Sequence, residues 1–224
     1  MPHATPETPQ PAPPPTRERI VIAALRLFQE QGFAGTGVST ILREARVNSG
    51  SMYHYFNSKE DLLRACLQWY LDNLDPLVMA PQREATPDDP VERIFTLLAW
   101  YRRFLVEADC TLGCPVGNLA LECSDQYPLV RELIDQNFAN WAAEIGRWLV
   151  DAGARLPADL DRGALARFVL TVMEGGLMQA RAHKSIEPFD ASVAVLRDYI
   201  DRLLAQAAND KINKSKNNSG SKTH

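Results

Sequence analysis

The sequence predicts an all-α chain in which a small N-terminal three-helix unit leads into a larger helical body. Two observations carry that prediction: apolar residues recur at spacings of three and four through the periodic segments, and no stretch alternates as a strand would. Proline and glycine punctuate the segments, which sets the boundaries of each helix.

The first fifteen residues hold seven prolines and no Lys or Arg. They lack the basic and apolar pattern of a secretion signal and the cations of a minor-groove arm, so 1–15 is expected to be a disordered, partly extended arm. Thr16 is placed to cap a first helix with Val21, Ala24, Leu25 and Phe28 as its buried stripe and Gly32 as its stop. Val38, Ile41, Leu42 and Ala45 give a second, short helix one apolar side. After a turn at Val47, Met52, Tyr55 and Phe56 are expected to face a core while Ser49, Gly50, Ser51, Tyr53 and His54 point outward. Asn57 or Ser58 can cap the next helix, since Glu60 and Asp61 each lie three residues past one of them. Lys59 then falls in its first turn, near backbone N–H groups that favour a phosphate.

The fourth helix carries Leu62, Leu63, Cys66, Trp69 and Tyr70 until Pro76 and Pro81 end or bend it. Asp88 or Asp89 with Pro90 starts another, with Ile94, Leu97, Leu98, Tyr101 and Leu105. A long amphipathic segment holds Ile134, Phe138, Trp141, Ile145, Trp148 and Leu149 and stops near Gly153. Two last helices, over 161–182 and 190–208, bear the stripes Leu165, Phe168, Val169, Val172, Met173, Leu177 and Val193, Leu196, Ile200, Leu203, Leu204. Gly175 and Gly176 cost helix stability but permit close approach of another helix. From Asn209 to His224 the chain is rich in Lys, Asn and Ser and reads as a mobile tail.

Two short helices, a tight turn and a third helix start form a device for laying one helix in a DNA groove. The small, polar and aromatic outward set suits phosphates and base edges. The stretch from Ile20 to Leu63 resembles the DNA-binding domain of TetR/AcrR-type transcriptional repressors. Such domains read A-x-x-L-F-x-x-x-G-F, then T-x-V-x-x-I, then Y-x-Y-F-x-S-K-E-x-L. Here those elements are Ala24 to Phe33, Thr36 to Ile41, and Tyr53 to Leu62. The resemblance implies a helix-turn-helix domain over 16–62, a helical effector-binding and dimerisation domain over 63–208, and a DNA-facing set of Thr36, Ser39, Asn48, Ser49, Gly50, Ser51, Tyr53, His54 and Lys59. Two departures stand out. Arg46 occupies the end of the second helix where relatives carry glycine, which predicts strain or a different closure of the turn. Gly37 replaces a hydroxyl residue and weakens a cap.

In the resembled family the last two helices pair with those of a second subunit, which implies a homodimer whose interface includes Phe168, Val172, Gly175, Gly176, Leu196, Ile200 and Leu203. Intramolecular packing is the competing use of these residues. A dimer also presents two heads about a turn or more of DNA apart, which suits a palindromic operator. An effector pocket is expected between the helices from Leu62 to Phe138, with Trp69, Tyr70, Trp100, Tyr101, Phe104, Asn118 and Trp141 as its wall. The same residues would serve an ordinary core.

The charge distribution agrees with this division. Residues 16–60 carry a net +2, while residues 61–208 carry −8 within a chain of net −4. A mildly positive head on an acidic body is expected if only the head meets phosphate. No apolar run approaches ~20 residues, so no membrane span is expected. Four cysteines, Cys66, Cys110, Cys114 and Cys123, match no paired zinc motif, and without an export signal they suggest reduced thiols in a cytoplasm. Cys110, Cys114, Cys123 and His183 have no sequence feature that brings them together on a metal, and the sequence points to no cofactor.

Gly113 to Glu122, GCPVGNLALE, resembles a segment of a subgroup of these repressors related to the N-ethylmaleimide reductase repressor. Some members sense electrophiles or oxidants through cysteine. Pro115 at a helix start would put Cys114 at the N-terminus, where the dipole stabilises a thiolate. A buried structural cysteine is the competing reading. The sequence thus predicts a DNA-binding repressor released by a small molecule or by thiol modification. The alternatives are an interaction module that has lost DNA binding, which Arg46 leaves open, and an enzyme. With four histidines, two of them near the termini, and no recognisable nucleophile, phosphate loop or metal constellation, an enzyme is not expected.

Overall fold

The computed structural model describes residues 14–48, 50–86 and 88–220, with the side chains of Ser51 and of 214–220 outside the description. The predicted arm lies almost wholly outside these residues. Among the described residues every regular element is helical: α1 (Thr16–Gln31), α2 (Val38–Glu44), α3 (Ser51–Tyr55), α4 (Lys59–Leu74), α5 (Ala80–Ala85), α6 (Pro90–Glu107), α7 (Pro115–Cys123), α8 (Pro128–Asp151), α9 (Arg162–His183) and α10 (Glu187–Gly220).

Local chemistry sets most of the boundaries. The Ser58 side chain accepts from Asp61 N at 3.0 Å and starts α4. Asp89 accepts from Val91 N and Glu92 N at 2.9 and 3.1 Å to start α6, and Asp161 accepts from Ala164 N at 2.8 Å to start α9. Each side chain satisfies backbone donors that the first turn leaves free. Gly32, at φ 78°, ends α1. Thr16 is the first residue of α1 rather than its cap; Pro15 precedes it, with a fixed φ that suits the entry. α4 closes at Leu74, ahead of Pro76 and Pro81, without ending the helical path: a π-helical turn over Asp75–Met79 passes directly into α5.

The predicted tail is corrected in part. α10 runs to Gly220, because no proline or glycine interrupts the chain between Pro188 and that residue.

The head is α1 to α3 on the start of α4, closed over Ile20, Ala24, Phe28, Ile41, Met52, Phe56 and Leu62, all at most 4% exposed. α4 continues into the body and lies along α8, where the buried Asn137 amide donates to the Leu67 and Leu133 carbonyls at 3.2 and 2.8 Å. α8 packs on α9, and α9 on α10. α7 bridges from α8 to α1, so it touches both halves of the molecule.

Ion pairs tie the remaining elements. Arg83 joins Glu144 of α8 at 2.5 Å and Asp75 at 2.7 Å, while Arg197 of α10 pairs with Glu92 of α6 and lies 3.2 Å from the Phe95 ring centroid.

Candidate functional site

α3 is only five residues long, yet its two faces are sharply divided. Met52, 1% exposed, and Phe56 just beyond the helix, 4% exposed, anchor it to the core, while Tyr53 is 69% exposed and His54 is exposed beside it. Tyr55 was expected in the core but is 41% exposed, its ring 4.9 Å from His54 and edge-on to it. With so short a helix, Met52 and Phe56 suffice to close the head, and Tyr55 is left on the rim. Asn48, Gly50 and Ser39 are also exposed, Ser51 belongs to α3, and Ser49 lies outside the described residues.

Two predicted DNA-facing residues turn inward. Thr36 is fully buried, its hydroxyl directed at the carbonyls of Gly32 at 2.6 Å and Leu27 at 3.2 Å. It closes the end of α1 and presents nothing to a ligand. Lys59 lays its ammonium 4.2 Å from the Phe33 ring centroid and donates to the Phe33 carbonyl. Burial pulls this amine below its ordinary value, against the opposing pull of the Glu122 carboxylate. A cation held in this way is a strut of the head.

Cations that the sequence reading did not single out for the interface stand outside. Arg43 and Arg46 are exposed on and after α2, four and seven residues past Ser39. The i, i+4 spacing places Ser39 and Arg43 on one side of α2, and Arg46 follows in the turn beyond it. Arg46 adopts φ 53°, the left-handed conformation that glycine would take without strain. The turn therefore keeps the geometry expected of a glycine at this position. Arg17 is also exposed, its guanidinium 5.2 Å from the Phe56 ring centroid.

In the body, six of the seven expected pocket residues converge. Trp69, Tyr70, Trp100, Tyr101, Phe104 and Trp141 line one cavity of about 270 Å³, with Gln29, Asn73 and Cys114 among its few polar groups. Tyr101 stacks edge-on to Trp100 at 4.9 Å and meets Trp141 at 5.4 Å. Asn118 is a correction: it lies in a wider outer groove of about 890 Å³ between α7, α8 and α9, and accepts from Arg181 at 3.2 Å. A charged partner on α9 draws it away from the aromatic wall.

Cys114 forms part of both cavities. It precedes α7 as expected, and its sulfur accepts from Gly117 N at 3.4 Å. The surroundings favour the competing reading of a buried structural cysteine. Burial and the neighbouring Glu174 carboxylate hold the thiol well above its ordinary value, and the Gly117 and Val116 amides only partly oppose them. All four cysteines are free and buried, and among the described residues no three potential metal ligands come together.

The opposite end of α7 grips the head. Glu122 accepts from Phe33 N at 2.8 Å and Ala34 N at 2.6 Å, while Phe33 meets Tyr127 edge-on at 5.6 Å. A nine-residue helix, about 13 Å long, thus joins the cavity wall at Cys114 to the α1–α2 turn at Glu122. No local pattern in the sequence announces this contact, because its partners lie 88 and 89 residues apart.

The predicted dimer residues divide into two sets. Phe168 at 47%, Gly175 with open space above it, and the partly exposed Val172 share one side of α9 with Met178 at 56%. Val195 at 70% and Tyr199 at 43% continue this surface on α10, where Leu203 is partly exposed, and Tyr199 sits 6.3 Å from Phe168. Gly176, Leu196 and Ile200 are corrected to intramolecular roles. A Cβ on Gly176 would come within 2.9 Å of Phe189, and Leu196 and Ile200 are at most 1% exposed in a single protomer.

Comparison with known proteins bears on both halves. Residues 20–66 match the family described as bacterial regulatory proteins, tetR family, and residues 90–195 match the C-terminal domain of LmrA/YxaF-like transcriptional regulators. The chain is 30% identical over 174 residues to the HTH-type transcriptional regulator YxaF of Bacillus subtilis, covering 77% of this chain and 88% of that one. It is 26% identical to the transcriptional repressor DhaR of a Mycobacterium species, over 81% and 90% of the two chains. Among solved structures, a regulatory protein TetR from Rhodobacter sphaeroides superposes with a TM-score of 0.74 at 25% identity, covering 81% of this chain and 96% of that one. The reduced form of E. coli NemR superposes with a TM-score of 0.70 at 27% identity, covering 82% and 96%. These are transcriptional regulators, not enzymes.

Proposed function

Because this chain belongs to the TetR family of bacterial regulatory proteins, we propose that it is a repressor that binds a palindromic operator as a homodimer and leaves it when a small molecule fills the aromatic cavity. One observation carries the DNA-binding part: a short helix locked by Met52 on one side holds Tyr53, 69% exposed, and His54 on the other. An exposed aromatic pair outside the core suits a groove edge and the adjoining sugar-phosphate. Asn48, Gly50 and Ser39 extend that surface, Ser49 and Ser51 are assigned to it from the sequence, and Arg43 and Arg46 supply positive charge.

The α9–α10 surface with Phe168, Val172, Gly175 and Leu203, extended by Met178, Val195 and Tyr199, is the proposed dimer interface. It is apolar and contiguous, and it would otherwise face water. A second copy, related by a two-fold axis, covers it and brings two heads to one palindrome.

The effector is a bound molecule rather than a modifier of Cys114, since the nucleophile in thiol chemistry is the thiolate and here the protonated form is favoured. The Gly113 to Glu122 segment and the fold shared with NemR support placing the chain near the N-ethylmaleimide reductase repressor group in architecture. Its action on DNA implies a cytoplasmic site. The test is fluorescence anisotropy of the full chain on an operator obtained by selected-sequence binding. The reading requires binding that weakens steeply with salt and a marked loss of affinity in Tyr53→Ala; failure to bind any duplex at low ionic strength would remove it.

A further inference from the structure

Glu174 lines the outer groove, as does Asp135, and sits beside Cys114, which lines both that groove and the aromatic cavity. Glu174 lies in the middle of α9, one turn before Leu177, which lines both spaces, and it faces the Cys114 sulfur. Its carboxylate lies over Gly117, where a Cβ would collide with it and displace it from its present position.

This half-buried carboxylate lacks the cation that normally offsets loss of water. Its one side-chain hydrogen-bond partner is the Cys114 thiol, and among the described residues it forms no ion pair. Arg167 borders the same groove without meeting it, while Arg181 turns to Asn118. Desolvation accordingly pushes Glu174 above its ordinary value. A carboxylate partly withdrawn from water with no cation beside it is costly, and a cationic ligand would offset that cost.

Beside it stands an aromatic wall. Trp69, Trp100, Tyr101 and Trp141 present ring faces and edges to the inner cavity. The Tyr101 phenol lies within electrostatic reach of Cys114 and Glu174. Rings that surround a volume next to an uncompensated carboxylate attract a cation from two directions.

We propose that the ligand of this site is an organic cation, with an aromatic or apolar body among the tryptophans and its charge against Glu174. The inference rests on the reading of the cavity as the effector site and adds the chemical class that it takes. A neutral apolar ligand would fill the same rings but leave the carboxylate unmatched. An anion would meet repulsion there.

The test uses the full-length chain and two probes, benzyltrimethylammonium and its uncharged carbon isostere neopentylbenzene, with quenching of tryptophan fluorescence as the readout. The ammonium should bind wild type at least about tenfold more tightly than the isostere, as a desolvated cation–π contact joined to a carboxylate implies. Glu174→Gln should abolish that preference by weakening the ammonium alone. Equal affinities in wild type, or a preference that survives Glu174→Gln, would overturn the cation assignment while leaving the cavity as a binding site. Quenching by neither probe would instead overturn the effector reading on which the proposal rests.

Discussion

Removing the Glu122 carboxylate should loosen the joint between the head and the body. Glu122 sits in the last turn of α7 and receives two backbone N–H groups of the α1–α2 turn, at 2.8 and 2.6 Å. Gly32, whose φ of 78° ends α1, also lies against that carboxylate, since a Cβ there would be 3.0 Å from it. Hydrogen bonds to a charged acceptor contribute about 1.5–3 kcal/mol each when buried. Ala34 is exposed, so water replaces part of the loss, and about 2 kcal/mol for the pair is the reasoned figure. For a chain of this size that corresponds to a fall in Tm of roughly 4–8 °C. Thermal unfolding of Glu122→Ala by circular dichroism measures it, with the exposed Glu132→Ala on α8 as a control that should stay within about 0.5 kcal/mol of wild type. Hydrogen exchange supplies the local readout, because the Phe33 and Ala34 amides should exchange faster in the variant. A melting curve within 1 °C of wild type (about 0.3–0.5 kcal/mol), with unchanged exchange at Phe33, would refute the clamp.

Arg46→Gly should stabilise the head by about 1 kcal/mol, since it relieves a left-handed arginine. If the guanidinium meets a phosphate, the same variant should lower the salt slope of DNA binding by about one contact; an unchanged slope would take Arg46 off the interface. The adjacent glycines of α9 should respond in opposite ways. Gly176→Ala should lose about 1–3 kcal/mol of protomer stability through overpacking on Phe189. Gly175→Ala, with open space in the protomer, should spare the fold but weaken dimerisation in sedimentation equilibrium, and an unchanged dimer constant would exclude that residue from the interface. The Cys114 thiol should resist alkylation by iodoacetamide at pH 8 and react faster as the pH rises toward its elevated pKa. Rapid modification at pH 8, mapped to Cys114 by mass spectrometry, would restore the thiolate reading.

What the sequence made legible was governed by short-range rules. Ser58, Asp89 and Asp161 cap helices because their side chains reach N–H groups two or three residues ahead, and Gly32 ends α1 because it alone there takes a positive φ freely. The aromatic wall was legible for a related reason: Trp69 and Tyr70 on α4, Trp100, Tyr101 and Phe104 on α6, and Trp141 on α8 recur on helices that must pack together. The errors arose where a distant partner decides a side chain's direction. Thr36 and Lys59 look available in sequence, but the end of α1 and the Phe33 carbonyl claim them. Asn118 goes to Arg181, and Gly176 goes to Phe189. Cys114 showed its helix N-terminus in sequence, but the Glu174 carboxylate that outweighs it comes from 60 residues away.

The most direct measurement is the affinity of the purified full chain for its selected operator as a function of salt, for wild type and Tyr53→Ala side by side. The account predicts that log K for wild type falls linearly with log salt and that Tyr53→Ala binds more weakly at every concentration while remaining folded and dimeric. Equal binding by the two proteins, or a wild-type affinity indifferent to salt, would contradict it.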